Sequence, residues 1–474
     1  MKCKDIEIEV IKGNPFVNDK LNRGPLADNL TCIANIYADT GAVIAIDGDW
    51  GTGKTTFVRM WRHKLLEDNY KAIYFNAWET DFQDDPFIAL MSELNAIFRD
   101  SPTFKNIVTS CAKIGLKVMG EAAKGFVKKV TGVDSDETKA GIDELVNQCN
   151  QKMTDYQQQK EGLKDFKNKL KEFVVSESNG KPVLFFIDEL DRCNPHYAIK
   201  LLERIKHLFD VPNIIFILAV NLNQLQHAVQ GFYGSSMIDG KEYLRRFIDI
   251  EYTLPAPDME EYCKFLYEKY DLKTFFEHDS RLKDRDLQDE KVVFNHIAKD
   301  LIVASHVNLR TANKIFAYTR LALCSYNTAQ NFPADLFFLL CFWKVTNPTF
   351  YNQIKSGENS IQNLLIKIEK ELPKDLFFSE NLYFTMHHIS YAVAALLIQY
   401  NYTQDRNVRE TTFKAIKHDD NSASVFPIKS DKIDLNLLNE ALTHESQQRC
   451  NWYGLQSIFD KIDLVDSLKI TGVN

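Results

Sequence analysis

Gly48-Asp49-Trp50-Gly51-Thr52-Gly53-Lys54-Thr55, preceded by the apolar run Ala42-Val43-Ile44-Ala45-Ile46, is the stretch whose reading decides the fold. It matches G-x-x-x-x-G-K-[ST], in which glycines let backbone N–H groups wrap a phosphate chain, the lysine reaches the β- and γ-phosphates, and the hydroxyl binds Mg²⁺. The context that this pattern needs is present. A buried-strand pattern comes before it, and an amphipathic helix from Thr55, with Thr56 in its first turn, to about Glu67 comes after it. Taken alone, the loop implies only a phosphate cradle, which serves kinases, GTPases and motors equally.

A second strand pattern, Pro182-Val183-Leu184-Phe185-Phe186-Ile187, ends in Asp188-Glu189. Next to a phosphate loop, such a pair places one carboxylate to hold Mg²⁺ and the next to polarise attacking water. Asp191, one turn further on, is a second candidate base, and Arg192 is expected to pair with one of these acids. Between the two motifs, Lys71 to Asn76 reads as a short buried strand. Asn76 at its end is a candidate polar sensor of the γ-phosphate, and Trp78 reads as a core anchor. A helix follows from Pro86 to about Phe98, with Pro at its first turn.

After a helix from His196 to Phe209, the uninterrupted apolar run Asn213–Val220 closes with Asn221, which orders the catalytic water, caps the helix beginning at Leu222, or does both. The pair Arg245-Arg246 precedes a fifth strand ending near Leu254. These arginines either reach a neighbouring subunit's site or are surface charges. Five strands separated by helices predict a doubly wound parallel sheet with ligand at the C-terminal strand ends.

At the start of the chain, Asp5–Val10 alternates like an edge strand, Asn14–Asp19 reads as a turn, and Leu21 to about Ala38 has helical spacing. Arg23 there is a candidate adenine contact, the alternative being a plain packing helix. An insertion at about 101–178 interrupts the α/β rhythm. Its first part, 107–130, carries Lys113, Lys117, Lys124, Lys128 and Lys129. They exclude a buried span and permit an amphipathic helix lying on a membrane or a partner, the alternative being a solvated helical insertion. A polar helix from Gly141 to about Val174 follows. Past Pro255 and Pro257 only helical patterns are read: 259–270, then a charged stretch over 277–291, 293–305, a helix opened by Asn308-Leu309-Arg310, and an all-α region over 331–474 with a polar loop at 419–424.

With 45% hydrophobic and 26% charged residues, the composition is that of a globular protein. A net charge of −8 makes no global case for a nucleic-acid partner. The nine cysteines form no C-x-x-C pair and no zinc-ligand spacing, which fits a reducing compartment. The first residues lack a signal peptide's apolar core, and no uncharged apolar run is long enough for a transmembrane segment, so a cytoplasmic location is expected.

Asn14–Arg23, Gly48–Thr56, Phe75-Asn76-Ala77-Trp78-Glu79 and Phe186–Cys193 together resemble the AAA+ and STAND NTPases and, more narrowly, the KAP family of P-loop ATPases. The resemblance spans roughly the first 320 residues. It implies an ASCE/AAA+-like sheet in a domain over 1–255, a helical lid over 256–330 and a helical C-terminal domain over 331–474. It also implies ATP and Mg²⁺ as ligands, held by Gly48, Asp49, Trp50, Gly51, Thr52, Gly53, Lys54, Thr55 and Thr56, with Thr55 and Asp188 on the metal. Glu189 would activate water, Arg310 is similar to a sensor-2 arginine closing the lid, and Arg245 or Arg246 would act across a subunit boundary. Many relatives carry transmembrane helices where this chain has its lysine-bearing insertion. Bacterial members are often implicated in phage resistance, so the expected function is a nucleotide-controlled switch or assembly ATPase in a homo-oligomer, with an effector or sensor protein as partner. The competing readings are a non-hydrolysing ATP-binding scaffold and a small-molecule kinase.

Overall fold

The five apolar runs form one parallel sheet, β1 (Ala42–Asp47), β2 (Lys71–Asn76), β3 (Val183–Asp188), β4 (Ile214–Val220) and β5 (Ile250–Thr253), in the order β2-β3-β4-β1-β5. In this computed structural model, residues 10–82, 86–98, 104, 107, 152–177, 180–331, 333–378, 382–403, 414–416, 427–447 and 454–467 are described. The expected strand at 5–10, apart from Val10, the 107–130 helix beyond Ile107, the start of the 141–174 helix and the 419–424 loop lie outside them. β3 and β4 are buried at every position, as central parallel strands covered on both faces must be, which is why their sequences run apolar without alternation. β5, paired among the described residues only to β1, alternates between half-buried and exposed.

Alternate residues of each strand face opposite layers. Ile44, Ile46, Leu184, Phe186, Ile215 and Ile217 pack under Ala27, Leu30, Phe57 and Trp61 of α1 (Gly24–Ile36) and α2 (Lys54–Glu67). Phe185, Ile187, Phe216 and Leu218 pack on the other face, against α3 (Pro86–Phe98), α4 (Lys152–Glu177), α5 (Pro195–Leu208) and α6 (Leu222–Tyr233). Each such side chain contributes about 1.5–3 kcal/mol by leaving water, so the two faces lock the strand register. That register sets Asp47 beside Val220, Asp188 beside Ala219 and Asn76 beside Asp188. The functional strand ends therefore line one edge. A single helical turn, α7 (Gly240–Leu244), leads to β5.

One expectation is overturned here. Trp78 is half exposed, in a 3₁₀ turn beyond β2, with the Arg192 guanidinium 5.5 Å from its ring centroid. The strand's apolar side chains already fill the core, and the indole lies past the last sheet position.

The chain divides into two compact units, Met1–Ala256 and Pro257–Asn474. The second is built from α8 (Met259–Lys269), α9 (Lys273–Phe276), α10 (Asp279–Leu282), α11 (Arg285–Ala304), α12 (Leu309–Leu323), α13 (Ala334–Thr346), α14 (Pro348–Ser356), α15 (Ile361–Glu371), α16 (Leu382–Thr403), α17 (Leu435–Gln447) and α18 (Leu455–Ser467). The charged stretch read at 277–291 is largely helical. Leu287, Phe294, Ile297, Leu301 and Ile302 form one buried stripe of α11 and carry its charged first turns. A two-stranded parallel ladder, β6 (Lys414–Ile416) with β7 (Pro427–Lys429), interrupts the region read as all helical. Among the described residues no helix is long and apolar enough to cross a membrane.

Burial raises the Asp335 and Glu445 carboxyls in this unit to about 7, and burial beside His296 and His387 lowers His388 to about 4. The folded carboxyls keep protons that the unfolded chain releases above about 4. Their stabilisation is present at acid pH and lost as pH rises through 7. His388 works oppositely, losing stability as pH falls from about 6.5 to 4. Two carboxyls outweigh one imidazole, so the second unit is expected to be less stable at pH 8 than at pH 5.5. Urea titrations at the two pH values, read by pulsed hydrogen exchange in α13, check this.

Candidate nucleotide-binding site

The loop after β1 supplies the cradle. Gly51 and Gly53 have φ of +83° and +86°, which residues with a Cβ adopt only under strain, and Gly53 turns the backbone directly into α2. Lys54, at the start of that helix, is 8% exposed, and its ammonium donates to the carbonyls of Gly48 and, at 3.0 Å, Asp49. Burial pulls its pKa down, while Asp191, Asp188, Asp47 and Asp49 pull it back up. A buried cation folded onto loop carbonyls at a helix N-terminus is a site shaped for an anion. Thr52 is held by its hydroxyl on the Asp49 carbonyl at 2.8 Å.

Asp188 closes β3 at 1% exposure. Its Oδ1 accepts from the Glu189 amide at 2.9 Å and its Oδ2 from the Tyr74 hydroxyl at 2.8 Å, while Thr55 also hydrogen-bonds the carboxylate. Burial raises its pKa and the hydrogen bonds from Tyr74 and Thr55 oppose that. A buried carboxylate beside a threonine hydroxyl is a donor set that fits Mg²⁺, which takes one or two protein oxygens and completes its shell with phosphate and water.

Glu189 sits at φ 60°, ψ 24°, a left-handed conformation that costs a non-glycine residue about 1–3 kcal/mol. It turns the chain past the strand end. Oε1 is ion-paired with Arg192 at 2.8 Å, as the sequence suggested, and Oε2 accepts from Asn76 Nδ2 at 3.2 Å. The same amide group donates to Glu79 at 3.0 Å. Asp191 accepts from the Trp50 indole at 2.6 Å, so the phosphate loop is tied across to the Asp-Glu turn. That tie and the Tyr74 contact were missed at sequence level. Tyr74 reads as strand packing, and only its two-residue offset from Asn76 on the same face could have flagged it.

Asn221 takes the cap position and also reaches the phosphate loop. Its Oδ1 caps α6 on the Gln224 amide at 3.0 Å, and its Nδ2 donates to Asp49 Oδ1 at 3.1 Å. Arg23 is 6% exposed, and its Nη2 donates to the Pro255 carbonyl at 3.3 Å. Its Nη1 is buried without a hydrogen-bond partner among the described residues, and burial lowers its pKa to about 10. Leu254, next to Pro255, donates its amide to the Asp47 carbonyl at 2.8 Å, so the carbonyl that Arg23 meets directly follows the residue tied to the end of β1.

Three candidate arginines remain. Arg245 and Arg246 are exposed, the first ion-paired with Glu242 at 3.0 Å and the second 5.9 Å from the Tyr243 ring centroid. Arg310 is exposed in the first turn of α12, which belongs to the second unit.

A phosphate loop after β1, an Asp-Glu pair after β3 and a strand between them define a P-loop NTPase. Residues 23–325 match the family model described as KAP family P-loop domain, more than half of the chain, and the protein belongs to that family. A phage T7 exclusion protein of Escherichia coli (strain K12) is 21% identical over 257 residues, 51% of this chain and 34% of the relative. The matched part thus spans about a third of that protein's length. Among solved structures, the Aeropyrum pernix ORC2 protein in its ADPNP-ADP complexes aligns at 14% identity and a TM-score of 0.32, over 81% of this chain and 80% of that one. A replication initiator DnaA bound to AMPPCP and single-stranded DNA aligns at 14% identity and a TM-score of 0.26, over 73% and 92%. At these scores neither likeness adds to what the sheet itself shows.

Proposed function

We propose that this protein is a Mg²⁺-dependent ATPase acting as a nucleotide-controlled switch or assembly ATPase. The observation that carries the reading is the shared strand edge, where a buried lysine, a buried carboxylate and a second carboxylate meet with one strand between their loops. Lys54 and the loop amides hold the β- and γ-phosphates, Glu189 takes the proton of the attacking water, and Asn76 and Asn221 sense the γ-phosphate. Mg²⁺ held by Thr55 and Asp188 would supply neutralisation of phosphate charge. Arg310 is assigned to a lid over 256–330 and Arg246, or Arg245, to a neighbouring subunit's site.

The deciding measurement is phosphate release together with particle mass, with and without Mg-ATP. Turnover and a nucleotide-dependent mass support the proposal. A second reading, an ATP-holding scaffold, is favoured by one feature: both Glu189 oxygens are engaged, by Arg192 and by Asn76. Bound ATP with no release and constant mass would select it.

Two further expectations follow. If Arg23 contacts the base, Arg23→Met weakens ATP binding about tenfold, the size of a lost charged hydrogen bond, and leaves tripolyphosphate binding unchanged. Calorimetric titration with both ligands checks it. The relative's name suggests phage exclusion as the setting. Cells expressing the protein should then restrict phage T7 plating, and cells with Lys54→Ala should not.

A further inference from the structure

Tyr74 lies two residues before Asn76 on β2, and Asn76 is the register partner of Asp188. Side chains two apart share a face, so the Tyr74 ring starts about 7 Å back along the sheet from Asp188, on the face covered by α2. A phenol bridges that span, whereas a shorter polar side chain does not. Its hydroxyl meets Asp188 Oδ2 at 2.8 Å, and the Arg59 guanidinium of α2 lies 5.4 Å from its ring centroid and hydrogen-bonds its oxygen. With Arg59 donating to it, the phenol oxygen is left to direct its own proton to Asp188. The Glu189 amide already fixes Oδ1. With the Tyr74 hydroxyl on Oδ2, the two oxygens are each held by a donor besides Thr55, and together these set the carboxylate plane relative to the Thr55 hydroxyl that also bonds it.

We infer that Tyr74 is the positioning residue for the divalent cation, orienting Asp188 from behind, with Arg59 orienting Tyr74 in turn. Partners of this kind behind a metal ligand change metal affinity by 10–100-fold when removed. The inference rests on the Mg-ATP reading above and names a residue which that reading leaves out.

The test titrates Mg²⁺ into the full chain with a fluorescent ATP analogue, alongside a metal-free titration in EDTA. Tyr74→Phe keeps the ring and deletes the hydroxyl. The Mg²⁺ concentration for half-maximal tightening should rise about tenfold, while affinity in EDTA stays at the wild-type value. In an Asp188→Asn background the same change should add nothing, because the hydroxyl acts only through that carboxylate. An unchanged Mg²⁺ midpoint in Tyr74→Phe, or an equal shift in the Asp188→Asn background, overturns the inference, as does a loss of EDTA-state affinity, which would mark Tyr74 as structural. If wild-type protein binds the analogue with no Mg²⁺ dependence, the Mg-ATP reading fails first and takes this one with it.

Discussion

Glu189→Gln should retain Mg-ATP and release phosphate about 10²–10⁴-fold more slowly than wild type, the range general-base catalysis supplies. The amide keeps the size and hydrogen-bonding reach of the carboxylate, so the Asn76 contact survives while the capacity to take a proton is lost. The Arg192 ion pair is lost as well, which frees a guanidinium still beside Trp78. Lys54→Ala should behave differently. It removes the buried ammonium that the cradle encloses, so nucleotide affinity itself should collapse. Paired single-turnover and binding measurements separate the two outcomes. A Glu189→Gln protein that hydrolyses at the wild-type rate would remove Glu189 from the chemistry and return attention to Asp191, whose carboxylate is held by Trp50.

Arg281→Met should destabilise the second unit by about 3–5 kcal/mol, the cost of breaking a buried pair from one side. Arg281 is completely buried, ion-paired with Glu290 and within 3.2–3.4 Å of the carbonyls of Gln330, Thr328 and Leu287. Its guanidinium stands 4.7 Å from the Phe275 ring centroid. One side chain thus joins the loop after α12 to α10 and α11. Methionine recovers part of the packing and none of the hydrogen bonds, leaving three carbonyls and a carboxylate without their donor. Urea unfolding read by pulsed hydrogen exchange in α11 and α13 measures the loss. A change under 1 kcal/mol would show that water reaches those carbonyls.

Arg281 also marks where sequence reading stops. It lies in a charged stretch, Glu277 to Lys291, where all neighbours but Leu282 and Leu287 are polar or charged. What buries it is the return of residues 324–331, some fifty positions later, and no local pattern reports that. Trp78 fails in the opposite direction. Its hydrophobicity argues for the core, but the sheet ends at Asn76, so the indole has no layer to enter.

The sheet, by contrast, was legible, because parallel strands covered on both faces must be apolar throughout and the phosphate loop requires its strand and helix. The sequence alone determined the five strands, the cradle at Gly48–Thr56, the Asp188-Glu189 pair and the cap at Asn221, each signalled by residues close together in the chain. Only the tertiary structure decided which polar groups share the strand edge. Tyr74 meets Asp188 across 114 positions, Trp50 meets Asp191 across 141 and Asn221 meets Asp49 across 172. These contacts come from strand order and register, which are fixed by how two hydrophobic layers close on the sheet, and that closure is a property of the whole unit rather than of any segment in it.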